Sequence, residues 1–297
     1  MQGKVCFALR FCAAVFLTAC FAMAMFAQTA HPAPGQAAEG GFVSTLVRPG
    51  LYLISGAGGN TLLRFTPGGI ILVGGTTSDN YRPLMSQVRR ISKITDLPVG
   101  VLVLPDHHES RTGANVKFLA AKVRVVAHEN AKGNMTACAP DPATAALPNF
   151  TFARDYKIQV GGVEVQLAHF GRAHTSGDTV VHFPNLKVVA VGELFTRGVP
   201  MPDYAAGGSL AGWSAALAEV LKLDFDIVAP AAGPLATRAD LVAFKAKLDT
   251  LVARAGALAK AGVPREQLLA RLQTDDLGWQ LRFTGEQLDR FYADLLK

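Results

Sequence analysis

Leu104-Pro-Asp-His-His-Glu-Ser-Arg-Thr-Gly-Ala-Asn115 is the stretch whose reading decides this chain. It follows the apolar run 99–104, which has the length and the valine content of a buried strand. It precedes Val116-Lys-Phe-Leu-Ala-Ala121, which opens like a helix. Strand-to-helix loops are where α/β sheets place their chemistry. This loop carries Asp106, His107, His108, Glu109 and Arg111 within six positions.

Outward from the loop, short apolar runs bounded by Gly and Pro predict strands over 45–47, 51–55, 61–65 and 69–73, with a helix over 81–91 between them and the 99–104 strand. Residues 123–127 read as another buried strand. The second half repeats the style, with strands over 163–168, 179–183 and 187–191, a helix over 210–221 and a strand over 227–230. Helical signals dominate from Arg238 through Lys260, then over 265–272 and 286–296. No linker-like break divides residues 42–297, so one domain is expected there.

At its chemical loop the chain resembles the metallo-β-lactamase superfamily. That family has His-x-His-x-Asp-His followed by Thr-Gly-Gly-Asn, and Thr112-Gly-Ala-Asn115 sets the register. Asp106, His108, Ser110 and Arg111 then fall on the four ligand positions. Further segments agree. Gly58-Gly-Asn60 and Gly68-Gly-Ile-Ile-Leu-Val73 are similar to the opening hairpin, with Gly74 where an Asp is usual. Val126-Ala-His-Glu129 is similar to the strand after the metal loop. Gly171-Arg-Ala-His-Thr-Ser-Gly-Asp178 places His174 on a ligand position, and Ala190-Val-Gly-Glu-Leu-Phe195 places Glu193 where a bridging Asp is usual. Val228-Ala-Pro-Ala-Ala-Gly-Pro234 leaves Ala232 at the last histidine position.

The resemblance implies an α/β (α+β) fold, a four-layer αββα metallo-β-lactamase sandwich, here with extra C-terminal helices. It also implies a metal site. Asp106, His108 and His174 are ordinary zinc donors, and three protein ligands plus water make a catalytic-type site. Glu193 is expected to add a fourth donor or to hold the reacting water. The second site lacks its donors, because Ser110, Arg111 and Ala232 stand there. One zinc ion is therefore the most that is expected. Arg111, always protonated, would offer the fixed positive charge that a second ion supplies elsewhere. Catalytic roles are assigned to Glu193 and Arg111. The function expected is hydrolysis of an ester, amide or lactam in a small-molecule substrate. The alternative is a pseudoenzyme that keeps the fold as a binding or accessory module, as the losses at Gly74, Ser110, Arg111 and Ala232 would allow.

Blander readings cover the other polar residues. His107 is expected to point away from the site, and Glu109 to lie on the surface. Without the family register, Asp106 would be read as a cap for the following turn. His128, His169 and His182 sit on or beside strands and are expected to be structural. Asp178 is expected to tie its Gly-containing turn. Arg172 and Arg197 are expected on the surface near the mouth, and Cys138 in a quiet loop.

Half of the 297 residues are hydrophobic and 18% are charged, enough for a sizeable core. Residues 1–27 carry Lys4 and Arg10, an apolar run over 11–26 and Met25-Phe-Ala27, the parts of a secretory signal. Cleavage there predicts an exported protein, periplasmic or secreted. Leu17-Thr-Ala-Cys20 offers lipidation at Cys20 as a competing route. Residues 28–41 are expected to be a disordered leader. Loss of the signal leaves Cys138 as the single cysteine, so the fold must rest on its core. It also lowers the formal charge from +6 to +4. The charges are scattered, without a basic run or interleaved aromatics, so nucleic acid is not an expected partner.

Overall fold

The computed structural model describes residues 41–56, 59–92, 97–141 and 145–297. The signal, the lipidation site and all but the last position of the leader lie outside the described residues. Apolar runs with few intervening charges become thirteen strands among the described residues. One sheet holds β1 (Val43–Arg48), β2 (Leu51–Gly56), β3 (Gly59–Thr66), β4 (Gly69–Val73), β5 (Val99–Val103), β6 (Arg124–His128) and β7 (Phe150–Phe152), in that order. The other holds β8 (Asp155–Val160), β9 (Val163–Ala168), β10 (Val180–Phe183), β11 (Val188–Gly192), β12 (Ile227–Pro230) and β13 (Ala236–Thr237), again in sequence order.

Pairing changes character along the first sheet. β1 to β4 form an antiparallel meander, and β4 to β7 run parallel. In the second sheet β11 and β12 are parallel and the other neighbours antiparallel. Parallel strands need crossover connections, which here are helical. These are α1 (Tyr81–Ile91), α2 (Glu109–Thr112), α3 (Asn115–Ala120), α4 (Glu129–Cys138) and α5 (Leu210–Val220), followed by α6 (Arg238–Lys260), α7 (Arg265–Arg271) and α8 (Glu286–Leu295).

Three apolar clusters define the layers. Leu53, Leu62, Val103, Val126, Val165, Leu167, Val181 and Ala190 fill the space between the sheets. Ile54, Leu72, Leu84, Val88, Leu102 and Phe118 pack the outer face of the first sheet under α1 and α3. Val189, Val191, Trp213, Leu217, Phe244, Leu248 and Phe291 pack the outer face of the second under α5, α6 and α8. Alternate residues of one strand thus serve different layers, as Leu102 and Val103 do. This is the four-layer αββα sandwich with added C-terminal helices.

The helix α6 shows how local signals and packing agree. Thr237 caps it in a reciprocal box with Asp240. Leu241, Phe244, Leu248, Leu251, Ala255 and Ala259 recur every three or four residues and are buried. No described helix is long and apolar enough to cross a membrane.

Candidate metal and hydrolytic site

The strand ends decide where the chemistry collects. β5 ends at Val103 and releases Leu104–His108; β11 ends at Gly192 and releases Glu193; β12 ends at Pro230 and releases Ala231. β9 leads into the loop that carries His174, and the loop after Glu193 carries Asp203 before α5 begins. All five segments meet at one edge of the sandwich.

Asp106 is 1% exposed. Its Oδ1 accepts the backbone N–H of His108 at 2.9 Å and faces His108 Nδ1 at 3.0 Å. The other ring nitrogen, Nε2, lies 3.3 Å from Asp203 Oδ2. His108 is therefore clamped between two carboxylates. His107 does not point away as its sequence context suggested: it is buried, its ring is 4.3 Å from that of His108, and its Nε2 is 3.6 Å from Asp203 Oδ2. The expectation failed because alternation holds along a strand, whereas the chain turns at Asp106 and brings consecutive side chains together. His174 stands on the other side, its ring 5.1 Å from His108 and edge-on to Trp213 at 5.6 Å.

Charge follows this geometry. Burial opposes ionisation of Asp106, but the hydrogen bond and charge of His108 outweigh it and hold the carboxyl down at about 2. Burial likewise opposes ionisation of Asp203, and the His108 contact holds it at about 2. Burial opposes protonation of His108, yet its bonds to Asp106 and Asp203 push it up to about 10. Burial and the neighbouring His108 charge push His107 down to about 4 and lower His174.

The site thus holds one imidazolium between two carboxylates, with two neutral histidines beside it. His108 Nε2 and Asp203 Oδ2, 3.3 Å apart, are donors of the kind that hold a divalent cation. Asp106 Oδ2, His107 Nδ1 and His174 Nδ1 are buried without a hydrogen-bond partner among the described residues. Among the described residues, His107, His108 and Asp203 place donor atoms within 4.8 Å of one another. Of the expected set, Asp106 and His108 are joined directly and His174 adjoins them. Glu193 instead turns to Arg111, 3.4 Å from its Nη2.

At the positions of the second site, the charged side chain is bonded to backbone. Arg111 is 3% exposed, and its Nη2 donates to the Ala231 carbonyl at 2.7 Å. The Asn60 N–H donates to the same carbonyl at 2.8 Å, and Asn60 Nδ2 bonds Pro230 and Gly233 carbonyls at 3.0 and 2.8 Å. A β-carbon at Gly59 would overlap the Arg111 guanidinium, so the arginine lies flat on bare backbone. Ser110 and Ala232 are exposed. Gly74 takes φ +83°, which disfavours any side chain, and a β-carbon there would crowd the Asn60 carbonyl. Arg111 is thus buried, with its guanidinium on the Ala231 carbonyl and beside Glu193.

Other residues are structural. Asp178 accepts from the N–H and hydroxyl of Thr175 at 2.8 and 2.7 Å. His128 and His169 stack at 3.8 Å and bond the carbonyls of Ala153 and Asp178. Arg172 bonds the carbonyls of Gly207 and Gly208, so it braces the Asp203 loop. Asp203 itself was missed in the sequence. Pro202-Asp-Tyr204 announces only a turn, which it makes: Oδ1 accepts from the N–H groups of Ala205 and Ala206. Its pairing with His108 spans 95 residues, and no local pattern encodes that.

Residues 83–232 match the family model of the metallo-beta-lactamase superfamily. A curated relative, the 2,4-dinitroanisole O-demethylase subunit alpha of Nocardioides sp. (strain JS1661), is 23% identical over 207 residues, 67% of this chain. The match spans 60% of that relative's length. Among solved structures, a metallo-beta-lactamase from Pontibacter korlensis superposes with a TM-score of 0.62 at 20% identity, covering 70% of this chain and 99% of its own. The DIM-1 metallo-beta-lactamase gives 0.60 at 17% identity, covering 70% and 97%.

Proposed function

The chain belongs to the metallo-β-lactamase superfamily, and on that premise we propose that it is an exported hydrolase working with a single zinc ion on a small-molecule substrate. The observation that carries the proposal is the His108 clamp, an imidazole between two carboxylates with His107 beside it, whose Nε2 proton a cation would displace. Zinc bound among these donors would supply an activated water and polarise the bond to be cut.

The chain's own residues do the rest. Glu193, one-third exposed at the mouth, is positioned by Arg111 to take a proton from the attacking water. Arg111, held on the Ala231 carbonyl, supplies permanent positive charge beside Glu193 where a second ion would otherwise stand. His174, edge-on to Trp213, lies beside His108. Substrates to assay are esters, amides and lactams; the name of the curated relative adds an activated aryl ether.

The test is turnover of such a panel by zinc-loaded protein. Measurable hydrolysis is expected, with Glu193→Gln lowering kcat by about 100-fold while zinc stays bound. No turnover of any class by loaded protein would contradict the proposal. It would favour a second reading, a binding module of the cell envelope, which the exposed and donor-poor Ser110 and Ala232 support.

A further inference from the structure

We propose that the ion is held by His107, His108 and Asp203, with Asp106 hydrogen-bonded behind His108, and not by the Asp106, His108 and His174 set that the sequence motif implies. The assignment rests on the one-metal reading above and says where that ion sits.

Reach is the first argument. The carboxylate of an aspartate ends closer to its own backbone than the Nε2 of a histidine does. Asp106 in a histidine position is therefore set back, and in the structure it meets His108 Nδ1. A carboxylate on one ring nitrogen fixes the imidazole and presents the other nitrogen to a metal, the usual arrangement behind metal-bound histidines. The nitrogen so presented is Nε2, and it faces Asp203.

Spacing is the second. Donors about 2.0 Å from a tetrahedral ion stand roughly 3.3 Å apart. His108 Nε2 and Asp203 Oδ2 are 3.3 Å apart, and His107 Nε2 and Asp203 Oδ2 are 3.6 Å apart. Neither Asp106 nor His174 belongs to the group whose donors all converge within 4.8 Å.

The third argument is rigidity. The Asp203 loop is bonded from several sides: Asp203 N–H to the His174 carbonyl at 2.7 Å, Gly208 N–H to the Asp203 carbonyl at 2.7 Å, and Arg172 to the Gly207 carbonyl at 2.6 Å. Arg290 of α8 adds a bond to the Tyr204 carbonyl at 2.6 Å. Asp203 Oδ1 is spent on the turn, which leaves Oδ2 aimed at the two histidines. Sites built on such fixed segments hold their donors in place without rearrangement.

The experiment is a titration of the purified full chain with zinc and, separately, with cobalt(II), read by calorimetry and by the visible absorption of bound cobalt. Wild type, Asp203→Asn, His107→Gln and His174→Gln are compared, with circular dichroism checking the fold of each. Asp203→Asn and His107→Gln are expected to weaken zinc binding by at least about 100-fold and to alter the cobalt spectrum, while His174→Gln stays near wild type. If Asp203→Asn does not fold, His107→Gln decides alone. Retained binding in a folded Asp203→Asn or His107→Gln, or lost binding in His174→Gln, overturns this assignment and leaves the one-metal reading standing. No metal bound by the wild type overturns both.

Discussion

At the scale of single residues, Arg111 and Asp178 show how burial turns a side chain's chemistry. Arg111 stands where the family carries a ligand, and the structure gives its guanidinium to Glu193 and Ala231. Replacing it by Ala removes a charge-assisted bond to the Ala231 carbonyl, which keeps the Asn60 N–H, and leaves a void. A loss of about 2–4 kcal/mol is expected in urea unfolding; a loss below half of one would contradict the packing described here. Asp178 lies in the interior, and burial pushes its carboxyl up to about 8 from 3.8. The folded state therefore holds that proton more tightly than the unfolded chain. The contribution is complete below pH 3.8 and fades as pH rises through 8. Relative to Asp178→Asn, the wild type should lose stability between pH 5 and 9 in urea titrations; a relative gain would contradict the shift. At this scale the motif's register told that Asp106, His108 and His174 would meet, but not which of them would hold an ion. Asp203 and the inward turn of His107 depend on contacts that only the folded chain creates.

At the scale of elements, close approach overrides propensity. Gly212 lies in α5, where alanine would ordinarily gain about 1 kcal/mol. A β-carbon there would overlap the Arg172 carbonyl, because α5 packs directly on the His174 loop. Gly256 lies in α6 with open space around it. Gly256→Ala should raise the stability of the chain by about 0.5–1 kcal/mol, and Gly212→Ala should lower it. Thermal melts of both variants check the contrast, and equal shifts would refute it. Most elements could be read in advance because valine-rich runs and three-to-four spacing mark strands and helices. The unread ones had weak patterns. β8 has only Ile158 fully buried, β7 is three residues long, and α4 buries only Ala131.

At the scale of the whole molecule, the C-terminal helices brace the site. Asp294 of α8 accepts from the Ser209 hydroxyl at 2.8 Å and the Leu210 N–H at 3.1 Å, locking the start of α5 just past the Asp203 loop. Asp294→Ala should weaken zinc affinity about tenfold although it touches no donor; unchanged affinity would separate α8 from the site. The αββα layering was legible from the order of elements, while this bracing was not, since it joins residues 85 apart. The central claim is that this scaffold carries one metal position, with a bound arginine, Arg111, among the positions of the other. Native mass spectrometry of zinc-saturated full-length protein tests that claim most directly. One zinc per chain, absent from His108→Ala, is the predicted result; two zinc ions, or none, would contradict it.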